Sequence, residues 1–356
     1  MRKLVKIILI FYISEILITS ILFYWLIYLS NEVSAVQLTA KTATGGIFLT
    51  LGILAYTFGL RHALDADHLA AIDNSTRKLV QENKPSHFTG LFFSLGHSTV
   101  VILLSIGLIV ATRTVALNLP ALESIGTVIG TLISGSFLYL IGLLNFFIFI
   151  TIFKLYKSIK EGKMDEKKLN DALLKRGFMG RYFNHLFKII DKQYYMYLIG
   201  FLFGLGFDTA SETALLAITA GAAGVFLNIP FWTLLVFPFL FTAGMTIIDT
   251  SDGFFMSGAY NWAFLGHPAK KIWYNLTMTV ISVMISFMVG SLELLGLIQV
   301  EFNLTGTFWD VIAGINGEVG MGYLGIIIVA TFVVTWITSY AIFKFKVEPR
   351  IARNSA

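Results

Sequence analysis

His62 and His68 bracket Asp65 and Asp67 in the run Arg61-His62-Ala63-Leu64-Asp65-Ala66-Asp67-His68, with apolar sequence on both sides. Three more apolar stretches carry groups of the same chemistry. His97 stands in Leu95-Gly96-His97-Ser98. Asp208 and Glu212 stand in Gly206-Phe207-Asp208-Thr209-Ala210-Ser211-Glu212-Thr213, and Asp249 and Asp252 in Asp249-Thr250-Ser251-Asp252-Gly253. Together they offer three imidazoles and six carboxylates against one guanidinium, that of Arg61. Imidazole nitrogen and carboxylate oxygen suit a divalent ion of the Ni, Co, Zn or Mn kind. The chain has no cysteine, so thiolate ligands and disulfides are excluded. His62, Asp65, Asp67, His68 and His97 are the expected metal ligands. Arg61, Asp208, Glu212, Asp249 and Asp252 are expected along the ion's pathway or behind the ligands.

Helical geometry constrains the first motif. At about 100° per residue, His62, Asp65 and His68 share a face about 120° wide, while Asp67 points about 140° away from His62. A regular helix therefore cannot aim His62, Asp67 and His68 at one ion. Either the helix is broken here, or Asp67 acts elsewhere, for example on Arg61 or on a group behind the ligands. His87, His185 and His267 read as loop or interfacial residues, Glu15 and Glu293 are isolated, and Met245 reads as packing.

The elements that must position these groups follow from composition. Of 356 residues, 56% are hydrophobic and only 13% charged, with a mean hydropathy of +0.77. Soluble domains carry roughly a quarter charged residues, so lipid is the solvent on most faces. A membrane-spanning helix needs about 20 mostly apolar residues. Eight such stretches are present, near 5–29, 46–72, 88–111, 124–153, 196–227, 231–258, 272–297 and 320–343. The expected fold is an all-α polytopic membrane protein, a single transmembrane domain over residues 1–356 with eight transmembrane helices. The first stretch is longer than the roughly 7 to 15 apolar residues of a secretory signal and reads as a retained helix.

Charge placement orients the chain. With both termini in the cytoplasm, all of the 26 basic residues except Lys41, Arg113 and Arg61 fall in segments on the cytoplasmic side. Arg77, Lys78 and Lys84 belong to one such connection, and the polar stretch 154–195 reads as a cytoplasmic loop between helices 4 and 5. The net charge of +5 is thus explained by topology and indicates no nucleic-acid partner. At about 1.5 Å per residue, His62, His97, Asp208 and Asp249 lie about 13 to 18 Å from the cytoplasmic ends, near the midplane. Ionisable groups at that depth usually face a cavity or one another. No Gly-x-x-x-x-Gly-Lys-Ser/Thr loop is present, so the chain itself does not hydrolyse ATP.

Spans 2–3 and 5–6 also resemble each other. Phe58-Gly59-Leu60 aligns with Phe203-Gly204-Leu205. Phe92-Phe93-Ser94-Leu95-Gly96-His97-Ser98 aligns with Leu240-Phe241-Thr242-Ala243-Gly244-Met245-Thr246 at nearly the same spacing. An offset of three spans reverses direction in the membrane, so an inverted repeat with a midplane site is expected.

At these motifs the chain resembles the nickel/cobalt permease (NiCoT) family. His62, Asp67 and His68 fit that family's His-x4-Asp-His signature. Leu95–Ser98, Leu205–Glu212 and Gly244–Gly253 are similar to three further family motifs, in order, on three further spans. Ser98 and Ser211 depart from the pattern, since members commonly carry Asp and Thr there. The resemblance implies high-affinity uptake of Ni²⁺, Co²⁺ or both as transported substrate, across the cytoplasmic membrane. It also implies that His62, Asp67 and His68 are indispensable, and that neither a cofactor nor an ATPase subunit is required. Two other readings use the same residues. A Zn²⁺, Mn²⁺ or Fe²⁺ transporter would need the same ligands, and a membrane acyltransferase would use His62 as base with Asp67.

Overall fold

A computed structural model describes residues 2–36, 44–114, 119–160, 190–205, 210–226, 229–264, 268–342 and 344–345. The described residues are helical throughout, joined by short turns. They form α1 (Arg2–Val36), α2 (Thr44–His62), α3 (Ala66–Gln81), α4 (Thr89–Thr114), α5 (Leu119–Lys160), α6 (Met196–Phe203), α7 (Ala210–Val225), α8 (Val236–Phe264), α9 (Pro268–Glu301), α10 (Thr307–Asn316) and α11 (Glu318–Ile342). Short 3₁₀ turns, Gln193–Tyr195 and Phe231–Leu235, lead into α6 and α8.

Among the described residues, four helices are long and apolar enough to cross a bilayer: Val5–Val33, Thr89–Val110, Phe231–Trp262 and Leu276–Glu301. Two bent pairs raise the number to six if each is one span. These are α2 with α3, bent by 51°, and α10 with α11, bent by 69°. The protein is a multi-pass, all-α membrane protein. α5 runs on to Lys160, so the first residues of the expected 154–195 loop continue a helix.

The bend between α2 and α3 has a local cause. Leu64 N–H bonds Arg61 O at 3.0 Å and Asp65 N–H bonds His62 O at 2.9 Å, a tightened last turn that closes α2. Asp65 then adopts an extended backbone (φ −66°, ψ 145°) and starts α3. Its carboxylate makes no capping bond because it is engaged with side chains of α2. The freed carbonyl of Leu64 abuts Gly325 of α11, at the place a Cβ would occupy.

Two helix crossings are built on glycine. A Cβ at Gly59 of α2 would run into the backbone carbonyl of Phe241 on α8, and one at Gly244 of α8 into Tyr56 O. A Cβ at Gly200 of α6 would run into the carbonyl of Phe93 on α4, and one at Gly96 of α4 into Tyr197 O. In both crossings one glycine meets the carbonyl of a phenylalanine and the other that of a tyrosine. They correct the expected alignment of the first helices. Gly59 plays the part of Gly200, one helical turn before Gly204, while Phe93 and Gly96 do match Phe241 and Gly244.

α3 departs most from expectation. Arg77 and Lys78, expected in a cytoplasmic connection, lie on this helix and are buried, with the whole of 68–80. α3 passes between α4, α5, α8, α9 and α11, and its apolar side, with Leu69, Ile72 and Leu79, joins Met321, Ile328 and Phe332 of α11 in one core. A second core joins α1, α2, α7 and α8 through Leu26, Phe48, Phe226 and Phe237.

Candidate metal centre

The break in span 2 lets two helix ends face each other. His62 is the last residue of α2 and His68 lies in the first turn of α3, and their rings meet edge to face with centroids 4.5 Å apart. His97, from the middle of α4, completes the group, 4.9 Å from each by ring centroids. One nitrogen from each of the three imidazoles lies within 4.8 Å of the others, and all three side chains are buried. Phe93 closes over His68 at 4.8 Å and Phe241 lies 5.5 Å from His62. These two phenylalanines also carry the carbonyls at the glycine crossings, so the close crossings bring the apolar walls of the site into place.

Two of the imidazoles have a carboxylate at the outer nitrogen, whereas His97 Nδ1 is buried without a hydrogen-bond partner. His62 Nδ1 donates to Asp65 Oδ2 at 3.1 Å, and Asp65 Oδ1 accepts from Arg61 Nη1 at 3.3 Å. His68 Nδ1 lies 3.4 Å from both carboxylate oxygens of Asp249 on α8. A carboxylate on Nδ1 fixes the proton there and leaves the Nε2 lone pair inward. His68 Nε2 accordingly has no hydrogen-bond partner. His62 Nε2 and His97 Nε2 face each other at 3.1 Å, and Glu212 Oε1 lies 2.6 Å from His97 Nε2 and 3.8 Å from His62 Nε2. Three inward nitrogens and a carboxylate oxygen thus converge where water has little access. An isolated cation of high charge density is what such a set can hold.

The residues marked in the sequence divide. His62, His68 and His97 come together, and Glu212, expected along the pathway, touches them. Asp65 stands behind His62, and Asp249 behind His68. Asp67 is outside the group; its Oδ1 is buried without a hydrogen-bond partner, and its charge reaches His68 and Asp249. Arg61 pairs with Asp65, and its guanidinium lies over Gly322 of α11. Asp252 lies on α8, with Oδ2 buried and unpaired and its charge near Asp249 and Asp73. Asp208, His185 and His267 fall outside the described residues.

Sequence reasoning gave no site role to several polar residues of α3 and its neighbours. Asp73 accepts from Tyr260 and Ser282, Arg77 donates to Thr279, and Asn74 pairs with Asn145. The polar run Asp73–Lys78 was the available signal, but its composition reads as a loop.

Comparison with known proteins gives a consistent set. The family described as "High-affinity nickel-transport protein" (NicO) matches residues 48–342. The nickel transporter NixA of Staphylococcus aureus is 45% identical over 86% of this chain and 89% of its own length. The nickel transporter NicT of Mycobacterium tuberculosis is 42% identical, covering 87% and 84%. The cobalt transport protein NhlF of Rhodococcus rhodochrous is 34% identical, covering 84% of each. No solved structure matches the chain.

Proposed function

The chain belongs to the high-affinity nickel-transport protein family, and from that premise we propose that it carries Ni²⁺, Co²⁺ or both into the cell across the cytoplasmic membrane, using the three-histidine centre as its substrate site. It is a transporter and not an enzyme, so the acyltransferase reading is set aside. The observation that carries the proposal is the convergence of inward nitrogens of His62, His68 and His97 within 4.8 Å, deep inside the helices. Nickel and cobalt favour imidazole and carboxylate donors, and the chain has no thiolate to offer.

In this reading His62, His68 and His97 bind the ion with Glu212, which then ceases to accept from His97. Asp65 and Asp249 orient the imidazoles, with Arg61 steadying Asp65. Asp67, Asp208 and Asp252 line the way in or out. The eight expected spans correspond to α1, α2 with α3, α4, α5, α6 with α7, α8, α9 and α11, with both termini cytoplasmic. Spans 2–3 and 5–6 form an inverted repeat around the site; the matching of Gly59 to Gly200 and of Gly96 to Gly244 supports this. Alternating exposure then comes from rocking about the fixed centre. An inside-negative potential favours entry of a dication by about 4.6 kcal/mol per 100 mV, twice the single-charge value.

Radiolabelled nickel uptake by cells expressing the protein tests the assignment. His62→Ala or His68→Ala is expected to abolish accumulation while the protein remains inserted at normal levels. Normal uptake by a well-expressed double variant would sink it.

A further inference from the structure

α3 buries a sequence that should not be buried. Ala66 and every residue from His68 to Val80 are hidden from solvent, although Asp73-Asn74-Ser75-Thr76-Arg77-Lys78 is polar throughout. Polar groups deep in protein or lipid are costly unless fully paired. Here the pairing is incomplete. Ser75 Oγ, Arg77 Nε and Nη2, Asn145 Oδ1, Thr250 Oγ1 and Asp252 Oδ2 are buried without hydrogen-bond partners. Arg77 is the largest fully buried side chain described, held through Nη1 to Thr279 Oγ1 at 2.5 Å. Ionisable groups among membrane helices face the bundle interior or a water-filled cavity, and a strip left this incompletely paired fits a wall that is wet in another state.

We propose that this strip is the cytoplasmic half of the ion path in its shut form, and that the bonds from Tyr260 and Ser282 to Asp73 are its gate. The proposal rests on the histidine centre being the substrate site. Asp249, Asp252, Met256 and Tyr260 follow one another on α8 at spacings of three or four, and so share a face. Tyr260 lies about three turns, or ~16 Å, beyond Asp249, and its side chain leans back toward the start of the helix. Its hydroxyl donates to Asp73 Oδ1 and the Ser282 hydroxyl donates to Oδ2 at 2.8 Å, tying α8 and α9 to α3. Arg77, one turn further along α3, sets a positive charge beneath the closure.

This arrangement makes the gate responsive to its cargo. An ion leaving His68 and Asp249 meets Asp252, whose Oδ2 is unengaged. From there Asp73 is the next carboxylate. Charge-assisted bonds hold Asp73 to two hydroxyls, and an approaching dication competes for the same oxygens. As Asp73 turns to the ion, Tyr260 and Ser282 are released, α8 and α9 lose their tie to α3, and the passage wets. With no ion present, Asp73 returns to the hydroxyls and Arg77 repels small cations from the cytoplasm.

The absence of cysteine from the chain makes the gate directly testable. Met256→Cys places a thiol between Asp252 and Tyr260, at a position 1% exposed. In inverted membrane vesicles with chelator present, that thiol is expected to resist a membrane-impermeant maleimide. Adding Tyr260→Phe and Ser282→Ala is expected to speed labelling by about tenfold or more, about 1.4 kcal/mol of shifted equilibrium. Asp73→Asn should do the same by another route. Equal labelling of the Met256→Cys thiol in all three backgrounds, each eluting as a folded species, overturns the proposal. Labelling needs no metal, so it decides the gate independently of the substrate site. Nickel binding to detergent-solubilised protein decides the latter. It should survive Tyr260→Phe with Ser282→Ala and be lost in His68→Ala; loss in the gate variant would mean that these residues belong to the binding site instead.

Discussion

Two imidazole nitrogens 3.1 Å apart, with a carboxylate oxygen 2.6 Å from one of them, leave room for a shared proton or for an ion that replaces it. The carboxylates at the outer nitrogens of His62 and His68 favour the ion. Because Asp65 and Asp249 each accept from Nδ1–H and so hold the proton there, the Nε2 atoms of His62 and His68 are left bare and inward. Asp249→Asn is therefore expected to weaken nickel binding by about 10- to 100-fold without removing a ligand, as read by calorimetric titration of the solubilised protein. Glu212→Gln should weaken it as well, by removing the only anionic donor at the cluster among the described residues. The histidines were legible in the sequence because imidazoles buried in lipid demand a reason. The parts played by Asp65 and Glu212 were not. On a straight helix Asp65 shares the face of His62 and His68, and only the turn at Ala63–Asp65 takes it behind the ring. Glu212 reaches His97 from a helix far along the chain, a contact that no local spacing reveals.

At the scale of elements, the break in span 2 and the glycine crossings do the positioning. Either the break or a different role for Asp67 could be read from the angle between His62 and Asp67; the structure has the break and leaves Asp67 outside the histidine group. Gly59→Leu and Gly200→Leu should each separate a helix pair, since the new side chain would meet the backbone of Phe241 or Phe93. Overpacking commonly costs about 1–3 kcal/mol and more against backbone. A clear fall in the melting temperature of the solubilised protein is the expected result, whereas Gly46→Leu, where the space is open, should leave it unchanged. The connection from α3 to α4 carries a pH response. His87 bonds Ser257 at 2.8 Å, and burial holds its pKa below the ordinary 6.5. The folded protein thus binds that proton less readily than the unfolded chain, and stability falls as pH drops below 6.5 toward the folded value. Replacing His87 by Gln should flatten this part of the melting profile. The polar run of α3 was read as a connection where the structure has a buried helix, for a physical reason. Composition reports what a segment prefers alone, while its burial depends on α5, α8 and α9 closing around it.

For the whole molecule, the membrane potential and the helix count set the expectations. If the ion moves without a coupled partner, 100 mV is worth about three powers of ten in accumulation ratio. Collapsing the potential of nickel-loaded vesicles with an ionophore should then release that gradient, while an opposing pH gradient alone should not. The all-helical, multi-pass character was readable because it is a property summed over many residues. The likeness of Gly96 to Gly244 was readable, but not the crossings of α2 with α8 and of α4 with α6 that these glycines serve. The match to Gly200 was hidden by the more conspicuous Phe-Gly-Leu one turn later.

The enclosed position of α3 bears on how the chain is made. Arg77 and Lys78 are sheltered only by protein, and the helices around α3 include α8 and α9, which are translated much later. At roughly 5 to 20 residues per second, the stretch between Gln81 and Tyr260 takes about ten to forty seconds to emerge. During that interval α3 has no place of its own and is expected to wait at the cytoplasmic surface, with Lys78 open to amine reagents in chains stalled before Val236. The buried polar strip of α3 is thus expected to settle last, once the helices that enclose it have been made.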